Sequence, residues 1–153
     1  MYYFATWGLM LVIPAISVLG EAMTGGNSDL VWLVAKWFVF WGIGLRLLTA
    51  GIRQVMQPGF TARTLFRIED PEADRLVSEI GFSNLAIGAV ATASLLFPAF
   101  VVPLGLTGGL FLGIAGIKHI TNANRTIIES TAMVTDLIIA VIVIGTACLL
   151  LLR

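Results

Sequence analysis

The chain has 153 residues, of which 58% are hydrophobic and 12% are charged, and its 9 basic and 9 acidic side chains cancel at neutral pH. Long apolar runs at this composition predict an integral membrane protein, and a net charge of zero excludes a general electrostatic attraction to nucleic acid. The single cysteine, Cys148, lies within an apolar run. This excludes a disulfide framework, a cysteine-based metal site and a redox pair, and no metal is expected.

Five segments of the chain are candidate membrane spans, because a spanning helix needs about 20 largely apolar residues. They are Tyr3–Met23, Leu30–Val55, Val77–Phe97, Leu104–Ile120 and Ile127–Leu152. The first has no Lys or Arg before it and no good cleavage site, so we predict a retained helix and not a signal peptide. The fourth is the shortest, and a four-span interpretation would merge or bury one segment. We predict one membrane domain over residues 1–153, an all-α polytopic transmembrane helix bundle with five spans.

Basic residues between the spans predict the orientation of the chain. The links after the second and fourth spans are basic, with Arg53, Arg63, Arg67 and Arg75 in one and Lys118 and Arg125 in the other. The link Glu21–Asp29 holds two acids and no base, and Pro98–Pro103 holds no charge. We therefore place the basic links and the N-terminus in the cytoplasm and Arg153 outside, in a multi-pass protein of the inner (cytoplasmic) membrane.

The link over residues 56–76 and the start of the last span carry local structural signals. Apolar and basic side chains alternate in the link, which is typical of a segment lying along the headgroup boundary. At its end, Asp70-Pro71-Glu72 predicts a helix start with Asp70 as N-cap and Pro71 at the first helical position. Thr126-Ile-Ile-Glu129 predicts a capping box that opens the fifth helix.

Small residues form two stripes that predict close helix packing. The stripe on the fourth segment consists of Gly105, Gly109 and Gly113. The stripe on the third segment consists of Gly81, Asn84, Gly88 and Ala91. We expect the two stripes to face each other, with a ligand channel as the alternative role for the glycines. Such stripes also make self-association reasonable.

Arg46 lies in the body of the second span, where an arginine costs roughly 2.5 to 3.5 kcal/mol on insertion. It should therefore face the protein interior and have a partner. Arg46 and Arg53 are seven residues apart and share one helical face, and Glu129 and Asp136 do the same on the last span. Both helices have their polar ends in the cytoplasm, so Arg53 is level with Glu129 and Arg46 with Asp136. We predict an ion pair between Arg46 and Asp136.

Further polar residues fall in the same cytoplasmic half and are expected to complete one polar cluster on the bundle axis: Glu79, Asn84, Lys118 and His119. Structural alternatives stay open for these groups. The ion pair could serve only to hold two helices in register, and Glu129 could be a helix cap. His119 is a candidate proton carrier or a polar end-cap. Lys36, with Asp29 one face away, is expected to anchor the outer surface.

Several stretches carry a resemblance to a known family. They are LRLLTAGIRQVMQPGF, SEIGFSNLAIGAVATASLL, GLFLGIAGIKHI and ESTAMVTDLIIAV. From Gly42 onward the chain resembles the DoxX-like superfamily of small bacterial four-helix membrane proteins, with an extra N-terminal helix and without the paired cysteines of a thiol-linked redox member. The resemblance implies that Arg46, Glu79 and the last two helices line an interior pocket. It also implies links to respiratory or quinone-linked oxidoreductase complexes and to oxidative-stress responses.

The sequence contains no nucleotide-binding loop, paired-histidine metal motif or nucleophile elbow, so no enzymatic activity is predicted, although acid–base chemistry is not excluded. Our first hypothesis is a membrane protein whose buried polar pocket, on the cytoplasmic side, binds a small amphipathic molecule such as a quinone or lipid. It could equally act as an accessory subunit of a membrane complex. The alternatives are a small proton-coupled transporter or channel and an intramembrane lipid-modifying enzyme. The expected partners are membrane lipids and a second copy or a larger membrane complex, and not nucleic acid.

Overall fold

The computed structural model describes residues 6–25 and 29–153, with Leu65 described by its backbone alone, and every regular element in this part of the chain is helical. The five main helices are α1 (Gly8–Met23), α2 (Leu30–Met56), α3 (Glu72–Ala93), α4 (Pro98–Thr121) and α5 (Ile127–Leu151). The link between α2 and α3 adds the short helical segments Pro58–Phe60 and Thr61–Phe66. The predicted all-α class is confirmed.

Four of these helices, α2 to α5, are long and apolar enough to cross a membrane, with lengths of 22 to 27 residues. Over the described residues α1 is shorter. Its two segments, of 5 and 11 residues, extend about 24 Å at 1.5 Å per residue, which is less than the roughly 30 Å of a hydrocarbon core. The start of the predicted first span at Tyr3 lies outside the described residues. Four helices are therefore long and apolar enough to span a membrane, and the fifth span and the multi-pass arrangement stay predictions.

The helix α4 is longer than the segment predicted from the sequence. It opens with the 3₁₀ turn Pro98–Phe100 and continues as Val101–Thr121, giving 24 residues in all. Pro103 falls in the first turn of the α-helical part, where its missing N–H would have no helical partner in any case. The prolines therefore start this helix and do not shorten it.

The predicted helix starts are close to those in the structure. The helix α3 begins at Glu72, whose amide donates to Asp70 Oδ1 at 2.9 Å. Asp70 therefore supplies the capping oxygen, as predicted, although Pro71 stands one residue before the helix and not inside it. At the start of α5 the capping box is confirmed, because the Glu129 amide donates to the Thr126 hydroxyl and the Thr126 amide donates to Glu129.

The second helix, α2, is the centre of the bundle. It runs antiparallel to α1, with Met10 beside Arg46 and Glu21 beside Lys36. Its glycines bring α3 close, since a Cβ added at Gly44 would lie 2.9 Å from the Thr92 amide nitrogen. Because α2 contacts neighbours on most of its sides, a charge in its body is enclosed by protein.

The predicted packing of the two small-residue stripes is half right. Both stripes do serve close packing, but they do not face each other. The α4 stripe packs on α5, where a Cβ added at Gly105 would lie 3.3 Å from the Val143 carbonyl oxygen. The α3 stripe packs on α2, where a Cβ at Gly88 would lie 2.5 Å from the Leu48 amide nitrogen. Glycine spacing shows that a backbone approaches, but it does not identify whose backbone it is.

Alternating helix directions separate the chain into two ends. One end, which we call the basic end, holds the links over residues 57–71 and 122–126 together with the start of α1. The opposite end holds the turn at residues 94–97, and there Arg153 contacts Asp29 at the start of α2. Most of the residues singled out in the sequence lie toward the basic end.

Candidate functional site

The ion pair predicted from helix register is present, because Arg46 Nη2 contacts Asp136 Oδ1. The two side chains are only 18% and 5% exposed, so the charges lie inside the bundle. The other terminal nitrogen, Nη1, is 3.4 Å from the Thr135 hydroxyl and contacts the Met10 sulfur. Arg46 therefore connects α2 to both α1 and α5.

The approach of α5 to α2 positions this pair. Gly42 is one helical turn before Arg46, and a Cβ added there would lie 3.0 Å from Ile139 Cδ1. Two wider, π-helical segments lie next to Arg46. They are Gly8–Val12 in α1, which includes Met10, and Val39–Leu45 in α2, which ends directly before Arg46. Such turns are frequent at functional sites because they shift side chains out of the regular helical register.

Arg53 and Glu129, which were predicted to be level with each other, do not form a second ion pair. The Glu129 side chain is buried, where it accepts hydrogen bonds from the Thr126 amide at 2.7 Å and the Asn122 side-chain nitrogen at 3.2 Å. Its role in the structure is the helix cap. The Arg53 guanidinium lies over the Phe60 ring instead, with Cζ 3.8 Å from the ring centroid. A local cap orders fewer groups than a pairing between distant helices, and it satisfies the carboxylate first.

Asn84 is 5% exposed and lies on the face of α3 that packs against α2. Its side-chain nitrogen donates to Gln54 Oε1 at 2.6 Å. Among the described residues, its Oδ1 has no hydrogen-bond partner. This places Asn84 beside Gln54 of α2, and Asn84 is not among the described residues that line the cavity beside Arg46.

Glu79 does not join the interior cluster. Its side chain is 62% exposed, and its nearest cation is Arg75 at 3.9 Å. Successive residues turn by about 100° around a helix, so Glu79, two residues from both Val77 and Gly81 on the buried stripe, points the other way. The sequence prediction placed Glu79 in the cluster from its position along the helix axis and did not consider which face of α3 it occupies.

The polar residues at the end of α4 are also divided. Lys118 is exposed, whereas His119 is half-buried close to Glu129 and Asp136. The His119 carbonyl oxygen accepts a hydrogen bond from Arg125 at 3.0 Å. His119 thus borders the interior cluster, and Lys118 lies outside it.

A cavity of about 550 Å³ lies beside Arg46, between α1, α2, the link to α3 and the start of α5. This is within the range of roughly 300 to 1,000 Å³ typical of small-molecule sites. The described polar residues that line it are Thr6, Arg46, Thr49, Arg53, Gln54 and Thr61. The described apolar residues that line it are Leu9, Met10, Ala50, Phe60 and Ile128. The described lining thus includes two arginines and no acid.

The walls formed by α1 and by the link were missed from the sequence. The apolar and basic alternation around Phe60 had indicated a surface-lying segment, and Phe60 is indeed 41% exposed. The buried Thr61 beside it closes the cavity from the link side. The signal in the sequence was that Phe60 follows the end of α2 by only four residues, which is close enough for its ring to contact Arg53.

A second polar cluster, at the opposite end of the bundle, was not predicted. Lys36, which was expected to act as an anchor near Asp29, pairs with Glu21 at 2.7 Å, and the Trp37 indole nitrogen donates to the same carboxylate at 2.8 Å. Asp29 caps α2 and contacts Arg153. Partial burial acts to raise the pKa of Asp29, but the Trp32 and Val31 amides and the charge of Arg153 lower it below its ordinary value.

The polar side chains that line the cavity at the basic end are arginines, a glutamine and threonines. No group of three or more His, Cys, Asp or Glu side chains placed for a metal ion lies within residues 6–25 and 29–153. The two buried carboxylates near the cavity are already engaged, Asp136 by Arg46 and Glu129 by the helix cap.

Comparison with known proteins gives no match to a family model, to a curated protein or to a solved structure. The DoxX-like resemblance therefore stays a prediction.

Proposed function

We propose that the chain is an integral membrane binding protein that takes up a small amphipathic molecule, a quinone or a lipid, in the cavity beside Arg46. It does so on the cytoplasmic side, alone or as an accessory subunit of a membrane complex. One observation carries this role: the cavity joins cationic and hydroxyl groups to an apolar wall. An amphipathic molecule has the same division, with a polar head and an apolar body.

The location of the cavity supports uptake from the membrane. It lies at the basic end, which the charge distribution between the spans assigns to the cytoplasm. Phe60, in its wall, is part of the link that carries further exposed apolar side chains, Phe66 and Ile68. Apolar side chains interspersed with arginines are typical of segments at the headgroup boundary. A membrane molecule would reach the cavity by way of this boundary.

Binding is favoured over catalysis because none of the candidate acid–base side chains is among the described residues that line the cavity. Asp136 is paired, Glu129 forms a cap and Glu79 is on the outer surface. Thr49, which lines the cavity, donates its hydroxyl hydrogen to backbone carbonyls of its own helix at 2.8 and 2.9 Å. None of these groups is placed as an activated nucleophile.

The test fills the cavity without changing its charge. Ala50 lines the cavity, so Ala50→Trp should exclude the bound molecule. The matched control is Ile52→Trp, two residues further along α2, where the side chain is 45% exposed and outside the lining. The measurement is mass spectrometry of lipids and quinones that stay with each purified protein.

We expect the wild type and Ile52→Trp to retain the same amphipathic molecule in a fixed ratio to protein, and Ala50→Trp to lose it. Equal retention by Ala50→Trp and Ile52→Trp would place the molecule on the outer surface of the bundle. That result would contradict the proposed role.

A further inference from the structure

We infer that the molecule bound in the cavity is an anion with a phosphate head, and that Arg53 is the residue that binds the phosphate. This inference rests on the proposed function and narrows its ligand class. A neutral quinone would need hydrogen-bond donors but no uncompensated cation. The charges around the cavity therefore decide between the two classes of amphipathic molecule.

Arg46 supplies no net charge to the cavity. Its guanidinium contacts the buried carboxylate of Asp136, and the two side chains are almost entirely enclosed by protein. The charges of a closely paired Arg and Asp largely cancel at the distance of a neighbouring ligand. Any anion in the cavity must find its counter-charge elsewhere.

Arg53 is the uncompensated cation of the cavity. Its side chain is exposed and, within the described residues, forms no ion pair and no hydrogen bond, whereas the nearby Arg63 is paired with Asp74 at 3.3 Å. Its guanidinium is held over the Phe60 ring by a cation–π contact. This contact engages the guanidinium, while within the described residues its N–H groups form no hydrogen bond or ion pair. Those groups form the planar fork that binds phosphate oxygens in pairs.

Gln54, the neighbour of Arg53 in the lining, adds a second donor. Its Oε1 accepts a hydrogen bond from buried Asn84 at 2.6 Å. Because its oxygen is occupied on the α3 side, its amide N–H groups remain to donate elsewhere. Asn84 thereby acts as a positioning residue for Gln54.

The depth of Arg53 indicates a lipid source for the phosphate. It is three residues from the end of α2 at Met56 and adjoins the link with its exposed apolar side chains. Phosphate groups of lipids occupy the level of a helix end in a membrane, and Leu9, Met10 and Ile128 add apolar side chains to the same lining. A lipid with a phosphate head and an apolar chain matches both parts of this lining.

The test measures binding of three probes to the full chain in nanodiscs of phosphatidylcholine, by isothermal titration calorimetry. The probes are lysophosphatidate, inorganic phosphate and a short-chain benzoquinone. Arg53→Gln removes the cation, Arg53→Lys keeps the charge without the fork, and Arg75→Gln is the control, since the Arg75 side chain is 87% exposed on α3. We expect Arg53→Gln to weaken lysophosphatidate binding on the order of tenfold or more, as for loss of a charged hydrogen bond. Arg53→Lys should restore part of it, and Arg75→Gln should leave it unchanged.

The other probes separate the outcomes. Equally tight binding of inorganic phosphate would support the phosphate site and assign a soluble source. Raised salt should weaken binding of lysophosphatidate, because the attraction between the charges is screened. Benzoquinone binding that Ala50→Trp abolishes and Arg53→Gln leaves intact would overturn the phosphate inference while the proposed function stands. Absence of binding by all three probes, together with no co-purified molecule, would overturn both.

Discussion

At the scale of single residues, Arg46 and Asp136 show how an ion pair inside a membrane bundle makes each partner dependent on the other. Both are enclosed, so removing one leaves a charge without a partner in a medium that solvates it poorly. We predict that Asp136→Ala lowers the free energy of unfolding by about 3 to 5 kcal/mol. Equilibrium unfolding in mixed micelles, followed by helical circular dichroism, would measure the change.

The matched control for this prediction removes both charges together. The double variant Arg46→Met with Asp136→Leu replaces the pair with apolar side chains of similar length, which often restores the stability lost in the single variant. We expect the double variant to recover most of the loss. A double variant as unstable as Asp136→Ala would show that the loss comes from packing around Thr135 and Ile139 and not from an unpaired Arg46.

The residue scale also shows what helix periodicity can and cannot predict. Arg46 was matched to Asp136 because two seven-residue spacings, placed at equal depth on antiparallel helices, fix a register. The same spacing placed Glu129 level with Arg53, but the capping box predicted from Thr126 and Glu129 engages this carboxylate within its own helix. The argument failed for Glu79 because depth was used without helical face.

At the scale of helices, the seam between α2 and α3 depends on glycine. A Cβ at Gly88 would lie 2.5 Å from the Leu48 amide nitrogen and 2.9 Å from the Gly44 carbonyl oxygen. These are backbone atoms, which cannot rotate away, so the helices would have to separate. We predict that Gly88→Ala lowers the free energy of unfolding by about 1 to 3 kcal/mol, the usual cost of overpacking. The same unfolding measurement applies.

A glycine elsewhere in the bundle provides the control. A Cβ at Gly145, on α5, would meet no heavy atom within 4 Å. Gly145→Ala should therefore leave stability unchanged or raise it by up to about 1 kcal/mol through helix propensity. Equal losses in Gly88→Ala and Gly145→Ala would mean that the α2–α3 seam is not tightly packed.

The helices themselves were predictable from the sequence because their signals are local. Apolar run length gave the four long helices, and Thr126 with Glu129 gave the start of α5. Partners in space were less predictable, since a glycine stripe fits any closely approaching backbone. A polar pocket that includes Arg46 was predicted, but its wall at Phe60 could not be, because that wall depends on how a short irregular link folds back on α2.

At the scale of the whole molecule, alternating helix directions and the distribution of arginine act together. Arg63, Arg67 and Arg125 lie in links at the basic end, whereas Thr24 and Arg153 belong to the opposite end. Basic residues near span ends are retained in the cytoplasm during insertion. With this predicted orientation, the cavity beside Arg53 would lie at the cytoplasmic leaflet.

This orientation predicts the reactivity of single cysteines in a Cys148→Ala background. Thr64→Cys and Asn124→Cys, at exposed positions of the basic end, should react with a membrane-impermeant maleimide only from the cytoplasmic face, and exposed Thr24→Cys only from the outside. The Cys148→Ala protein without an added cysteine is the control, because it has no thiol and should react from neither face. If Thr24→Cys and Thr64→Cys reacted from the same face, α2 would not cross the membrane. That result would contradict both the predicted orientation and the placement of the cavity at the cytoplasmic leaflet.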